Sequence, residues 1–420
     1  MIIPICSTHK DAHHDKYSGG IVTIAVIKSI THRRILNSHV DFTSEFLVEF
    51  EDGSVGRGAS PKGETISIYE DQNIPVNPDS IISRMDQDGC LRRPFDQETF
   101  DAYLATRIDQ FGRNNAYSLS LAFYQATEAS RSPFELFSRR TGPLQAPKLC
   151  LNILNGGWHA YTNPVLSDFS EFMLVATESD PATVIASHAE IQKAVKDRLR
   201  TLDTTVISGN RVHRFAVADN RAVIEFLLSI REALGLSRQF DLMIDASASD
   251  LWKDDRYRLS LTDKSVHTSD EFREYWQGLI REFGLVYLED PFHENDEEAW
   301  RALTAAQTTC RIIGDNFYSS NAERIAHGAG AGFTHGVIVK PNQAGSVSAV
   351  RKAIDVARRH GQIIISSHRS ISTEETFLSL LTCMESVPYI KIGPLETDYS
   401  SVVRLNEIIR LTTEAAGPVR

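Results

Sequence analysis

Polar side chains that could hold a metal ion or move a proton end a series of short apolar runs in the second half of the chain. The first three are carboxylates and the fourth is a lysine: Asp245, Glu289, Asp315 and Lys340. Carboxylate oxygens are hard donors of the kind that Mg²⁺ prefers. A partly buried lysine beside another cation has a pKa lowered toward the range of a general base. The four residues therefore indicate metal-assisted proton abstraction.

Two further runs add groups that suit an anion. The run Ile363–Ile365 leads into His368, Arg369 and Ser370, and the last run carries Lys391. A guanidinium fork beside other hydrogen-bonding groups matches a phosphate or phosphonate. Each residue alone has a structural alternative, since a carboxylate can cap a helix, a lysine can form an ion pair and an arginine can fix a loop. Their recurrence at the ends of successive runs favours a functional site.

The spacing of the runs predicts the elements that carry these residues. The runs recur at intervals of about one strand plus one helix, and helices are expected over 181–202 and 218–234. This rhythm is typical of an α/β protein with a (β/α)8 barrel, which places its chemistry at the carboxyl ends of its strands. We expect a catalytic barrel over residues 148–420, with the polar residues converging on one mouth.

The preceding part of the chain predicts a separate α+β domain over residues 1–147. Gly20–Ile30 and Phe46–Phe50 alternate apolar and polar positions, as strands do. Apolar residues between positions 96 and 140 fall at helical spacing. Strands followed by helices are typical of an α+β domain. The start, Met1–Lys16, is expected to be a disordered arm.

The overall composition excludes some classes of function. Of 420 residues, 42% are hydrophobic and 24% are charged, close to the averages for soluble globular proteins. The net charge of −11 argues against binding to nucleic acid or to an anionic membrane, although a locally positive pocket can still bind an anionic substrate. The five cysteines are scattered and lack CxxC spacing, which predicts a cytoplasmic protein with reduced thiols and no zinc site.

Longer motifs carry a resemblance to a known family. From about residue 20 to residue 412 the chain resembles the enolase family, most clearly in six segments: Leu154–Ala160, Glu171–Met173, Glu289–Phe292, Lys340–Ser346, Ser367–Ser370 and Ile390–Gly393. Enolases have an N-terminal α+β domain followed by an eight-stranded α/β barrel, and their superfamily uses a lysine or histidine base with Mg²⁺. The resemblance implies this fold, two Mg²⁺ ions per site, a small phosphate or phosphonate substrate, and a homodimer or higher homo-oligomer.

The resemblance also implies roles for the matching residues. Asp245, Glu289 and Asp315 would bind the first Mg²⁺. Thr65, in place of a serine of the family's mobile loop, would coordinate the second, unless it only caps a turn. Lys340 would abstract the proton α to a carboxylate. The two metal ions would stabilise the charged enolate that results.

The remaining matches would bind the substrate. Lys391 would hold its carboxylate, and His159 and Glu171 would line the side from which the leaving group departs. The phosphate would be held by a group of adjacent residues, His368, Arg369 and Ser370.

Some segments depart from the family pattern. Enolases carry a glutamate, the acid that helps hydroxide leave, where this chain has Ser208–Val217, which contains no carboxylate. His213 could replace that acid, unless it is a surface histidine. Arg211 and Arg214 add positive charge, and we expect Arg211 to contact the substrate. An early family signature is replaced by Asn37–Phe42.

These departures leave the proton-abstracting half of the reaction in place and alter the dehydrating half. We therefore expect a specialised enzyme similar to carboxyphosphonoenolpyruvate synthase of phosphinothricin-type antibiotic pathways, with a nucleotide-activated co-substrate. One alternative is the glycolytic enolase, phosphopyruvate hydratase, with Glu171 or His213 as the acid. The other is a non-catalytic enolase-like binding protein, which would have no need to keep Lys340 beside metal-binding carboxylates.

Overall fold

The computed structural model describes residues 23–63, 66–70, 76–129, 144–157 and 161–415. Three of the sequence-based predictions lie outside these residues: the disordered arm at the start, Thr65 and His159. Within the described residues, none of the helices is long and apolar enough to cross a membrane.

The first half of the chain folds as an antiparallel sheet covered by helices. The strands are β1 Ala25–Leu36, β2 Phe42–Phe50, β3 Val55–Ala59 and β4 Pro94–Phe95. They pair in the order β3-β2-β1-β4. The helices are α1 Pro78–Gln87, α2 Gln97–Ala105, α3 Ile108–Phe111 and α4 Arg113–Glu128, with a 3₁₀ turn at Cys90–Arg92. Helix α4 lies so close to β3 that a Cβ at Gly56 would come within 2.0 Å of the Ala122 carbonyl oxygen, so only glycine fits there.

The second half forms a closed barrel of eight strands. They are β5 Lys148–Asn155, β6 Glu171–Ala176, β9 Phe240–Asp245, β13 Tyr287–Glu289, β14 Arg311–Gly314, β15 Gly336–Val339, β16 Ile363–Ser367 and β17 Tyr389–Lys391. Around the barrel they stand in the order β13-β14-β15-β16-β17-β5-β6-β9. Apolar side chains from these strands fill the interior, among them Cys150, Met173, Met243, Ile313 and Ile338. The expected α/β barrel with an N-terminal α+β domain is confirmed.

One strand of the barrel runs antiparallel to its neighbours. Strand β6 pairs antiparallel with both β5 and β9. A parallel return requires a crossover of a dozen or more residues, usually a helix, and the described residues between β5 and β6 contain none. The chain therefore returns directly. As a result Glu171, the first residue of β6, lies opposite Asp245, the last residue of β9.

Helices surround the barrel, and two small sheets lie in its connections. The helices are α5 Pro181–Leu199, α6 Asn220–Ala233, α7 Ser269–Phe283, α8 Glu297–Ala306, α9 Ala322–Ala331, α10 Pro341–Ala344, α11 Val347–Arg359, α12 Phe377–Met384 and α13 Tyr399–Ala415, with a 3₁₀ turn at Ala248–Leu251. One small sheet is the hairpin of β7 Asp203–Ile207 and β8 Asn210–Arg214; the other joins β10 Trp252–Lys253, β11 Arg256–Arg258 and β12 Val266–His267. The second sheet explains the long interval between Asp245 and Glu289.

Candidate active site

The polar residues that end the apolar runs meet at one mouth of the barrel. Asp245 and Glu289 are register partners on neighbouring strands, and Ser367 pairs with Lys391 in the same way. A cavity of about 350 Å³ opens at this mouth. Its lining includes most of the predicted site: Glu171, Asp245, Asp315, Lys340, His368, Arg369, Ser370 and Lys391. Glu289 is fully buried beneath them.

Lys391 lies among three carboxylates. Its Nζ donates to Glu289 Oε2 at 2.8 Å and Oε1 at 3.0 Å. It also lies 2.9 Å from Glu171 Oε2 and 3.4 Å from Asp245 Oδ2. Burial disfavours the ammonium, but Glu171, Glu289 and Asp245 outweigh that effect and raise the pKa of Lys391 well above its usual value. Lys391 is therefore a permanent cation at the centre of the cluster.

Lys340 contacts the next carboxylate around the barrel. Its Nζ donates to Asp315 Oδ2, and its backbone N–H donates to Ser320 Oγ at 2.8 Å. Ser320 Oγ in turn donates to Gln343 Oε1 at 2.9 Å, so the end of β15 is held from two sides. The Lys340 side chain is 14% exposed, which leaves the tip accessible to a molecule in the cavity.

Asp290 holds the turn that carries Asp315. Its two carboxylate oxygens accept the backbone N–H groups of Asp315 at 2.9 Å and Asn316 at 2.8 Å. Asp290 is itself buried and has a left-handed backbone, with φ of 43°. The prediction from sequence placed Asp290 in a family motif but gave it no role. Its contacts show that it orients Asp315.

The carboxylates fit a divalent cation by the chemistry of their donors. Asp315 Oδ1 is buried and has no hydrogen-bond partner among the described residues, so this oxygen can accept a cation. Oxygen donors of this kind suit Mg²⁺. In the described part of the chain, however, no three His, Cys, Asp or Glu side chains are arranged as a ready metal site. Lys391 and Lys340 instead contact these carboxylates.

Arg369 is paired within the protein, with a residue that the sequence analysis missed. Its Nη1 donates to Glu70 Oε2 at 2.8 Å and its Nη2 to Glu70 Oε1 at 3.1 Å. The two side chains are only 4% and 9% exposed. Gln343 Nε2 also donates to Glu70 Oε1, at 3.2 Å. The expected anion-binding fork is thus held in a fixed orientation by Glu70, and this long-range pairing has no signature in the sequence.

His368 is neutral in this setting. Burial, together with Arg404, Lys391 and Lys340, lowers the pKa of His368 well below its usual value. A neutral ring facing the Lys391 carbonyl oxygen at 3.2 Å must donate its Nδ1–H to that oxygen. His368 therefore fixes the backbone beside Lys391, and its Nε2 carries a lone pair.

Glu171 is held by two neighbours. Asn152 Nδ2 donates to Glu171 Oε1 at 2.7 Å, and Lys391 Nζ lies near the other oxygen. Asn152 lines the same cavity but was not predicted as a site residue. It lies two positions after buried Cys150, on the same face of β5, and this periodicity of strands could have indicated it.

Arg211 corrects a prediction about substrate contact. It lies on the hairpin of β7 and β8, paired with Val206, and it is exposed. Arg211, His213 and Arg214 are absent from the lining of the cavity. The hairpin docks instead through the backbone of His213, whose N–H donates to Pro164 O at 2.8 Å. The added positive charge therefore lies outside the cavity.

We expect Asp315→Asn to weaken Mg²⁺ binding about tenfold or more, because affinity follows the number of charged ligands and Asp315 offers an unpartnered oxygen. Titration calorimetry with Mg²⁺ measures the change. Asp355→Asn, in an exposed ion pair with Arg359, is the control and should bind Mg²⁺ as the unaltered protein does. Equal affinity in both variants would remove Asp315 from the metal site.

Comparisons with known proteins agree with this geometry. The family model for the enolase C-terminal TIM barrel domain matches residues 144–419. A protein named Enolase from Halobacterium salinarum is 30% identical over 405 residues, which cover 93% of this chain and 99% of that protein. Another named Enolase, from Acidothermus cellulolyticus, is 30% identical over 426 residues, covering 94% of this chain and 96% of that protein. With the barrel, its antiparallel second strand and the lysines and carboxylates at one mouth, these matches show that the chain belongs to the enolase family.

Proposed function

We propose that the protein is an Mg²⁺-dependent enzyme that abstracts the proton α to the carboxylate of a small 2-phosphorylated hydroxy acid. The proposal rests on two lysines and three carboxylates that lie together at one cavity: Lys340, Lys391, Asp245, Glu289 and Asp315. Binding alone would not require Lys340 to lie beside Asp315, whose Oδ1 has no hydrogen-bond partner among the described residues. Such a pair is typical of a catalytic site.

Each residue of the mouth has a part in this proposal. Lys340 accepts the proton at Nζ, since its tip is accessible and the end of its strand is held by Ser320. Lys391, a permanent cation, pairs with the substrate carboxylate. Arg369, oriented by Glu70, and Ser370 lie in the lining where a phosphate would bind. Glu171 lines the same cavity and would lie on the side from which the leaving group departs.

Asp245, Glu289 and Asp315 are the residues that would hold Mg²⁺. The bound ion supplies positive charge that stabilises the enolate. Two further roles rest on the resemblance of the sequence to the family motifs. Thr65 would be a ligand of a second ion, and His159 would lie at the leaving group.

The second half of the reaction sets this protein apart from a glycolytic enolase. The segment Ser208–Val217, which replaces the part of the family sequence that carries the acid, includes β8 of the hairpin and contains no carboxylate. Glu171, the remaining carboxylate that could act as the acid, already accepts from Asn152 and forms an ion pair with Lys391. The finer expectation of a carboxyphosphonoenolpyruvate synthase relied on Arg211 and Arg214 as sites for an added anion. Their exposed position removes that support, so the proposal does not name the co-substrate.

We expect the protein to form phosphoenolpyruvate from 2-phosphoglycerate at least a hundredfold more slowly than an ordinary enzyme turnover of ~10 per second, because a missing general acid costs about 10²-fold or more. The measurement follows phosphoenolpyruvate by its ultraviolet absorbance, in the presence of Mg²⁺. Turnover at the ordinary rate would show instead that the protein is a phosphopyruvate hydratase that dehydrates without the hairpin glutamate.

A further inference from the structure

One wall of the cavity takes no part in the chemistry proposed above. Ser38 and His39 of the N-terminal domain form it with Tyr161 and Thr162, which follow β5, and Thr397, which follows β17. In the ring of eight strands, β5 stands opposite β14. This outer wall, defined by these five residues, therefore faces Asp315 across the mouth.

The N-terminal part of the outer wall is rigidly held. Residues 37–41 form a tight turn between β1 and β2, in which Asn37 Oδ1 accepts the backbone N–H groups of His39 at 3.0 Å and Asp41 at 3.1 Å. Ser38 N–H donates to Ser372 O at 2.7 Å, and Ser372 N–H donates to Ser38 Oγ at 3.2 Å. The turn is thus attached to the barrel loop that also carries Arg369.

The barrel part of the outer wall is held as well, while its aromatic side chain is open. The Thr162 and Thr397 hydroxyls lie 2.7 Å apart, and Thr162 O accepts the Asn155 N–H at 2.9 Å. The Tyr161 ring is nevertheless 50% exposed. It meets the His39 ring edge to face, with centroids 5.7 Å apart. Two aromatic rings and four hydroxyl groups, that of Tyr161 included, are therefore found on one side of the cavity.

The side-chain oxygen of Asn152, Oδ1, is a hydrogen-bond acceptor that a ligand could satisfy. Because its Nδ2 donates to the Glu171 carboxylate, which can only accept when ionised, its Oδ1 must face the other way. Within the part of the chain that the structure describes, this buried Oδ1 has no hydrogen-bond partner. Buried polar atoms without a partner are rare and costly, so a ligand that donates a hydrogen bond would satisfy it.

We propose that the outer wall is a second subsite of the cavity, which takes an uncharged, hydroxyl-bearing extension of the substrate beyond three carbons. The proposal rests on the proposed function and specifies the substrate class for it, a 2-phosphorylated sugar acid. A hydroxyl group can donate to Asn152 Oδ1 and can also accept a hydrogen bond from the His39 ring, which lines the same cavity. A carboxylate or phosphonate, which only accepts when ionised, would leave Asn152 Oδ1 unsatisfied. The outer wall also contains no lysine or arginine to neutralise a second anion.

The test compares two substrates that differ only in this extension. In deuterated water with Mg²⁺, the rate of exchange of the C2 proton is measured for 2-phospho-D-glycerate and for its four-carbon homologue 2-phospho-D-erythronate. We expect His39→Ala to lower the ratio of kcat/KM, four-carbon over three-carbon, about tenfold or more, because hydrogen bonds to a substrate hydroxyl discriminate strongly. His360→Ala, at an exposed histidine that ends α11, should keep the ratio of the unaltered protein.

A ratio that His39→Ala leaves unchanged, or that His360→Ala lowers equally, overturns the subsite. Binding of both compounds to Lys340→Ala, measured by calorimetry, separates this outcome from failure of the proposed reaction. We expect the four-carbon compound to bind about tenfold more tightly to Lys340→Ala, and the further change His39→Ala to remove that preference. Equal affinities overturn the subsite. Absent exchange with the preference intact overturns only the proposed reaction.

Discussion

Lys340→Ala should abolish exchange of the C2 proton of 2-phosphoglycerate with deuterated water while leaving the fold intact. Lys340 Nζ lies at the mouth beside Asp315. Among the described residues, the other lysine that lines the cavity is Lys391, whose ammonium is held by three carboxylates. Loss of a positioned base costs a rate factor of about 10² or more. Proton NMR of the substrate in deuterated water measures the exchange.

Lys352→Ala provides the matched control for this variant. Lys352 is an exposed residue of α11, so its loss removes a lysine without touching the cavity. The control should exchange the C2 proton at the rate of the unaltered protein. Exchange at that same rate in Lys340→Ala would exclude Lys340 as the base.

Lys391→Met should lower the free energy of unfolding of the metal-free protein by roughly 3–5 kcal/mol, because removing one partner of a buried ion pair leaves the others uncompensated. Glu171, Glu289 and Asp245 would then share the site without a cation. Urea denaturation in the presence of EDTA measures the loss. Added Mg²⁺ should stabilise this variant more than it stabilises the unaltered protein, since the ion restores positive charge to the carboxylates.

Lys196→Met is the corresponding control at the surface. Lys196 pairs with Glu396, but the two side chains are 43% and 35% exposed. Exposed pairs of this kind contribute only about 0–1 kcal/mol. If Lys391→Met lost no more stability than Lys196→Met, the carboxylate cluster would not depend on Lys391 for its charge balance.

The barrel and the residues at its mouth were predictable because each polar residue lies at the end of its own short apolar run, which can be recognised from the local sequence. Asp245, Glu289 and Lys391 end their strands, and Asp315 and Lys340 follow directly on theirs. A parallel strand brings its last residues to the same edge of the sheet, so the order of apolar runs was enough to bring these side chains together. This prediction did not require the contacts between the barrel and the N-terminal domain.

The contacts that orient these residues were not predictable, because they join parts of the chain that are distant in sequence. Glu70 and Arg369 meet only after the N-terminal domain has docked on the barrel. Glu171 reaches the mouth because β6 runs antiparallel, after a connection whose described residues contain no helix. Arg211 was misplaced because charge alone does not tell whether a hairpin faces the cavity or solvent.

The most direct test of the proposed reaction is the fate of the C2 proton of 2-phosphoglycerate with the unaltered protein in deuterated water. Proton NMR follows this proton with Mg²⁺ present and with Mg²⁺ removed by EDTA. Lys340 and the three carboxylates predict that the C2 signal disappears with Mg²⁺, faster than phosphoenolpyruvate forms, and persists with EDTA. A C2 signal that persists with Mg²⁺ present would contradict the assignment of this mouth as a proton-abstracting site.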